Sequence, residues 1–292
     1  MKYQFIEQHK QEFAIVVMCN VLGVSESGFS AWRKRPACQR QREDAQRTQE
    51  LQQVFDKHQG RYGSSRMDRE LKDQGRKLSC KRVARLMRKA AISAKRKRRR
   101  VLTTTRDAPP PIAPNVFPRE FTATGPKMKW VTDITSIPTA SGWLYLAVLL
   151  DVDSRAVVGW SLSNTCDAVL AEKALQMAVA RRSPEPGFIH HRDRGCQYTS
   201  RADQSQLEQL GAEVSLSRKG HCWDKAVLES FFGSLKEECL GNRLYSSHEQ
   251  ARQALFEYLE VYYNRQRRHS TLGYISPLVY EQKGKQCVKN NI

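Results

Sequence analysis

The stretch Trp143-Leu144-Tyr145-Leu146-Ala147-Val148-Leu149-Leu150-Asp151-Val152 constrains this chain more than any other. It is almost continuously apolar, with neither the period of two of a half-exposed strand nor the stripe of a surface helix. It reads as a central strand buried on both faces, which requires a covering layer on each side of a sheet. The flanking sequence supplies strands and helices for it. Trp130 to Ile137 reads as the preceding strand and Ala156 to Ser163 as the following one, joined to the central strand by the tight Asp153-Ser154-Arg155 connection. Three strands in sequence predict an antiparallel meander.

Beyond the meander the period lengthens. A helix over Asp167 to Arg181 is followed by a strand Phe188 to His191, a helix Arg201 to Leu210, a strand Glu213 to Ser217, and a long helix from about Trp223 to Cys239. The order is βββαβαβα. By analogy of order it predicts an α/β fold of the ribonuclease-H-like type, with a mixed five-stranded sheet.

Upstream, Phe5 to Ala90 reads as an all-α region with two segments of helix-turn-helix form. In the first, an apolar helix ending at Leu22 is stopped by Gly23-Val24, and Ser25 caps a second helix carrying Phe29 and Trp32. In the second, Arg66 to Gln74 is stopped by Gly75, and Ser79 caps a helix whose Val83, Leu86 and Met87 form one apolar stripe. Its other face carries Lys81, Arg82, Arg85, Arg88 and Lys89, as suits a recognition helix lying in a DNA major groove.

Between the two halves runs Lys95-Arg96-Lys97-Arg98-Arg99-Arg100, followed by five prolines between Pro109 and Pro118. Such a segment favours extended backbone and marks a boundary. The basic run suits a strap tracking phosphates, although a nuclear address or a solvated tail has the same composition. The predicted organisation is an N-terminal helical region over 1–60, a second DNA-binding segment with the strap over 61–100, a Pro-rich linker over 101–124, a catalytic domain over 125–240 and a helical extension over 241–292.

Charge follows this division. The formal net charge is +19, and residues 1–118 contribute 27 Lys+Arg against 11 Asp+Glu. A polyanion such as DNA is the leading partner, because each neutralised phosphate releases counterions whatever the base sequence. The polar N-terminus and the lack of an apolar run long enough for a span lead to the expectation of a soluble protein of the cytoplasm. Eight scattered cysteines predict free thiols and no structural zinc.

Three acidic residues stand where chemistry is expected. Asp133 lies in the middle of the first strand, between Thr132 and Ile134, where a carboxylate is expensive to bury unless it is paired or ligates a cation. Asp193 leaves the fourth strand in His190-His191-Arg192-Asp193-Arg194-Gly195, and strand ends are where open sheets place their sites. Glu229 lies in the last long helix beside Leu228, Phe231 and Phe232, with 35 residues between it and Asp193.

With these residues in place the chain resembles the second-frame product (OrfB) of insertion-sequence transposases of the IS-three family, which are similar to retroviral integrases. The resemblance is carried by Trp130-Val131-Thr132-Asp133-Ile134-Thr135, by His191 to Tyr198, by Gly220-His221-Cys222-Trp223-Asp224-Lys225-Ala226-Val227-Leu228-Glu229-Ser230-Phe231-Phe232, and by Tyr263-Asn264-Arg265 through His269-Ser270-Thr271-Leu272-Gly273-Tyr274 to Ser276-Pro277. Val21 to Pro36 and Tyr62 to Met87 also match the family's N-terminal region. Arg192 departs from a common serine, and His221 and Lys225 from common asparagines.

The resemblance implies Asp133, Asp193 and Glu229 as catalytic and metal-binding residues, with two Mg²⁺ ions per site and Mn²⁺ as a substitute. Hard oxygen donors suit those ions, and an ion pair of this kind activates the attacking hydroxyl and stabilises the leaving oxygen. It makes Lys236, seven residues after Glu229 on the same helix face, a phosphate contact. Arg265 and Arg268 in the basic, aromatic stretch Tyr262 to His269 are expected DNA contacts or a satisfied helix end. Arg192 and Arg194 either grip the scissile strand or are neutral, and His190 and His191 fit orienting hydrogen bonds better than metal ligation. The expected partners are double-stranded DNA, both element ends and target, further copies of the chain in at least a dimer on DNA, and the upstream-frame product through frameshift fusion or association. The expected setting is the cytoplasm of a bacterium, at the nucleoid. The competing readings are a DNA-binding repressor or accessory factor with an inactive core and, less favoured, a nuclease of RNA in hybrids.

Overall fold

The computed structural model describes residues 1–36, 38–94, 128–192, 201–216, 226–241 and 243–289. The chain forms two compact units, Met1–Gly60 with Glu70–Ser93, and Arg61–Arg69 with Ala94–Ile292. The predicted Pro-rich linker and the basic run Lys95 to Arg100 lie outside the described residues.

Helices α1 (Lys2–Gln8), α2 (Ile15–Leu22), α3 (Glu26–Lys34), α4 (Gln39–Lys57), α5 (Ser64–Asp73) and α6 (Cys80–Lys89) precede the sheet. Both predicted turns form as read. Gly23 takes a left-handed conformation at φ +62° to end α2, and Ser25 Oγ accepts from the Gly28 amide to start α3. Ile6, Met18, Cys19 and Phe29 make the small core of these three helices. Gly75 closes the second turn at φ +79°, Ser79 Oγ accepts from the Arg82 amide, and Val83, Leu86 and Met87 are the buried stripe of α6.

The second unit is built on a five-stranded sheet of order β3-β2-β1-β4-β5. Its strands are β1 (Lys129–Thr139), β2 (Gly142–Asp151), β3 (Val157–Ser163), β4 (Ile189–Arg192) and β5 (Glu213–Leu216). β1, β2 and β3 run antiparallel as predicted, whereas β4 pairs parallel with β1 and β5 parallel with β4. The mixed sheet is therefore the ribonuclease-H-like one. The connection after β2 turns on Asp151, whose Oδ1 accepts from the Ser154 amide at 2.7 Å and from its hydroxyl at 2.9 Å.

One face of the sheet is covered by α7 (Ala168–Arg182) and α8 (Arg201–Gln209). Trp130, Ala147, Leu149 and Val158 pack there with Leu170, Ala174, Ala178 and Leu207. Gly159 lets α7 approach: a Cβ at that position would lie 2.2 Å from the Ala174 carbonyl oxygen. The other face carries Val131, Asp133 and Thr135 beside Leu150, Val148 and Leu146, because neighbours in register point the same way. Trp160, paired with Val148, meets Phe256 of α10 (His248–Phe256) at 6.3 Å on this side, and its Nε1 donates to Glu260 at 2.6 Å. Helix α9 (Ala226–Leu235) packs against β1. Its predicted start at Trp223-Asp224 lies outside the described residues.

Two helices end in π-helical turns, α9 continuing through Lys236–Leu240 and α10 through Glu257–Tyr263. α11 (Pro277–Lys289) closes the chain after a short 3₁₀ turn, Ser270–Leu272. Among the described residues no single helix is long and apolar enough to cross a membrane.

Candidate active site and DNA-facing surface

Asp133 is the fifth residue of β1, the middle strand of the sheet, opposite Val148 of β2, and it is half-buried. On its other side β1 pairs with β4 through Lys129↔Ile189, Trp130↔His190 and Val131↔His191. This parallel register fixes β4 against the half of β1 that precedes Asp133. β4 ends at Arg192, and Asp193 and Arg194 lie outside the described residues.

Glu229 stands exposed on α9, whose Leu228, Phe231, Phe232 and Leu235 are buried. The helix is held by apolar residues around a carboxylate left to the outside. Lys236, one residue beyond α9, is also exposed. Two of the three predicted carboxylates thus stand on elements that pack together. Among the described residues no three His, Cys, Asp or Glu side chains gather as a metal site.

The paired histidines divide between the sheet faces. His191 is buried, and its Nδ1 lies 3.0 Å from Ser215 Oγ on β5, which fits an orienting hydrogen bond. His190 points toward the core of Trp130 and Phe188, neither ring nitrogen has a hydrogen-bond partner, and burial lowers its pKa to about 3. It is a neutral core residue. Arg192 is 3 % exposed, a strand residue in register with Leu216 and not a surface cation.

The cations of α6 also divide. Arg82 donates from Nε and Nη2 to Asp44 Oδ1 at 3.0 and 2.8 Å, and Arg85 donates from Nη2 to Asp44 Oδ2 at 2.7 Å. Arg85 first, then Arg82, hold the Asp44 carboxyl below the usual carboxylate range. These two arginines tie α6 to α4, Arg85 from an exposed position, while Lys81, Arg88 and Lys89 are exposed and enter no such pair with Asp44.

The C-terminal basic stretch differs from expectation. Tyr262 and Tyr263 are core residues at 5 % and 1 % exposure, so they have no face on which a base could stack. Arg265 is exposed. Arg268 is partly buried, its Nη1 donating to the Tyr274 carbonyl at 2.9 Å and its amide to Tyr62 Oη at 3.1 Å. Arg267, which sequence reading passed over, is buried against Glu238 with Nε–Oε2 at 2.8 Å. A signal existed: Glu238 continues the spacing of Leu228, Phe231 and Leu235, which puts a carboxylate on the buried stripe of a helix, where it requires a partner.

A three-strand antiparallel meander extended by two parallel strands, with α9 packed on the middle strand of the sheet, is the architecture of the integrase-core class of polynucleotidyl transferases, to which its relatives assign this chain. Residues 123–222 and 210–277 each match the model of an integrase core domain, and residues 41–100 match that of an HTH-like domain. The chain is 43% identical over 290 residues to the transposase InsF for insertion sequence IS3A of Escherichia coli (strain K12), covering 97% of this chain and 99% of that protein. It is 38% identical over 266 residues to the insertion element IS600 uncharacterized 31 kDa protein of Shigella sonnei, covering 91% and 98%. The chain belongs to the IS3 family of insertion-sequence transposases. Among solved structures it is similar to the simian T-cell lymphotropic virus intasome in complex with PP2A regulatory subunit B56 gamma, with a TM-score of 0.44 and 14% identity over 78% of this chain and 73% of that one.

Proposed function

We propose that this transposase binds the terminal inverted repeats of an insertion sequence and carries out strand cleavage by water followed by attack of the freed 3′-OH on a second phosphodiester, with Asp133, Asp193 and Glu229 as its catalytic carboxylates. The observation that carries the reading is the half-buried Asp133 on the middle strand of the sheet, against which the helix bearing the exposed Glu229 packs. In the sequence Asp193 directly follows Arg192, the last residue of β4, and the β1–β4 pairing ends at Val131↔His191, two residues before Asp133.

The donor chemistry fits a divalent cation. Carboxylate oxygens are hard ligands suited to Mg²⁺, with Mn²⁺ as a substitute, and a strand-borne and a helix-borne carboxylate come from rigid elements. When bound, two such ions supply a nucleophile activated near neutral pH and a stabilised leaving oxygen. The chain's own share is placement. β1 pairs with β2 through Asp133 and with β4 up to Val131, which limits the freedom of the Asp133 backbone, and Lys236 sets an ammonium about two helical turns from Glu229 to meet a phosphate.

For DNA binding we assign Lys81, Arg88 and Lys89 of α6, the basic run Lys95, Arg96, Lys97 and Arg98, and Arg194, Lys236 and Arg265. Arg82, Arg85 and Arg268 are engaged within the protein and Arg192 is buried, so they are left out of this assignment. The predicted domains remain our division of labour, with residues 1–100 gripping DNA and 125–240 cutting it. Two ends require at least two active sites, hence a homo-oligomer on DNA, with the upstream-frame product as a further partner in the bacterial cytoplasm.

Incubating the full chain with DNA carrying element ends and Mg²⁺ tests the reading. Nicked and joined products are expected. Retarded bands without nicks would favour the repressor instead.

A further inference from the structure

Within the second unit Glu238 is 6 % exposed and Arg267 3 %. Arg267 Nε donates to both carboxylate oxygens, at 3.1 and 2.8 Å, and Nη2 donates to Oε1 at 2.8 Å. The Tyr258 hydroxyl donates to Oε2 at 3.0 Å, and Arg66 Nη1 reaches Oε1 at 3.4 Å. The desolvation of a buried ion pair commonly offsets its attraction, so an apolar pair of equal volume would hold this space as firmly. What the pair adds is direction, because a planar guanidinium fork grips a carboxylate in one geometry.

That direction is transmitted to the helix bearing Glu229. Arg267 Nη2 also donates to Ser234 Oγ at 2.9 Å, and Ser234 Oγ donates to the Ser230 carbonyl at 3.0 Å. Ser230 follows Glu229 directly in α9. Glu238 itself sits in the π-helical turn that continues α9, a rare backbone form that marks functional sites more often than chance. Phe231, on the same turn of α9 as Glu229, meets Tyr263 edge-on at 4.9 Å, and the Arg267 guanidinium lies 5.5 Å from that ring.

We propose that Arg267 is a positioning residue for the active site: by clamping Glu238 and Ser234 it fixes the roll and axial position of α9, and with them the place of the Glu229 carboxylate. The proposal rests on the reading of Glu229 as catalytic. Arg267 is buried, so its loss should act on turnover and not on binding.

The test uses the full chain with Arg267→Lys, which keeps the charge but not the fork, and Ser234→Ala, which removes only the relay to Ser230. Glu229→Gln is the control. Ser234→Ala should keep the thermal midpoint and the affinity for end DNA, exchange the amide hydrogens of Ser230 to Leu235 faster, and lower kcat for cleavage several-fold at unchanged KM. Arg267→Lys should lower kcat by about tenfold or more, as a misplaced reacting group does. Wild-type kcat and wild-type exchange in Ser234→Ala overturn the proposal, and they decide alone if Arg267→Lys does not fold. A change in KM with kcat intact also overturns it, by placing Arg267 in a DNA contact. Full activity of Glu229→Gln would overturn the reading of Glu229 and this proposal with it. Loss in that control beside full activity of the other two variants overturns the positioning alone.

Discussion

Arg85 Nη2 lies 2.7 Å from Asp44 Oδ2, and this contact, with Arg82 on the other carboxylate oxygen, joins the second helix of the basic region to α4. It commits two of the five cations on α6 to the protein's own structure. Replacing Lys81, Arg88 or Lys89 by Ala should each lower the slope of log affinity against log salt by about 0.9. Arg82→Ala and Arg85→Ala should leave that slope unchanged while lowering the thermal midpoint. Titrating end DNA at several salt concentrations checks this, and equal slope losses at all five positions would refute the division.

The same carboxylate sets a response to acid. Its pKa is depressed by Arg85 and then Arg82, so its contribution to stability is full above the ordinary Asp value near 4 and fades as pH falls through the lower folded value. The wild type should lose stability as pH falls below about 4 by a component that Asp44→Asn lacks. Denaturant unfolding followed across that range measures the difference.

His190 works over a higher range. Burial, then the nearby Arg192 and His191 charges, holds the folded pKa at about 3, whereas an unfolded histidine titrates near 6.5. As pH falls below about 6.5 the unfolded chain takes up a proton that the folded chain refuses, and stability drops by about 1.4 kcal/mol per pH unit until the folded value is reached. His190→Leu should flatten this fall without loss at pH 7, since neither ring nitrogen gives up a hydrogen bond. Unfolding free energies at pH 7 and pH 5 for both proteins provide the comparison.

Gly159 is where β3 and α7 come closest. A Cβ there would stand 2.2 Å from the Ala174 oxygen and 2.8 Å from the Ala178 Cβ, both on a helix that cannot yield locally. Gly159→Ala should cost about 1–3 kcal/mol or more, read as a lowered urea midpoint. An unchanged midpoint would mean that α7 is free to slide on the sheet.

Much of this molecule is legible in local sequence, because local rules decide it. The apolar run of β2, the Gly23 and Gly75 stops and the Ser25 and Ser79 caps act within a few residues of themselves, and each appears as read. Asp133 is legible because a carboxylate in an apolar strand conflicts with its surroundings. Arg82 and Arg85 are misleading because helical periodicity reports a face, not what lies against it; Asp44 is 38 and 41 residues away. Tyr262 and Tyr263 beside arginines look like a nucleic-acid surface, yet both rings are buried against residues distant in the chain, Tyr263 against Phe231 and Tyr262 under the Arg61 guanidinium. The Glu238–Arg267 pair, 29 residues apart, is of the same kind.

The central claim is that three carboxylates from separate elements act as one site. The direct measurement is cleavage of end-containing DNA in Mg²⁺ by the full chain and by Asp133→Asn, Asp193→Asn and Glu229→Gln, with gel retardation of the same DNA alongside. The account predicts that each variant retards the DNA like the wild type and yields no nicked or joined product. Cleavage retained by any one of the three would contradict it.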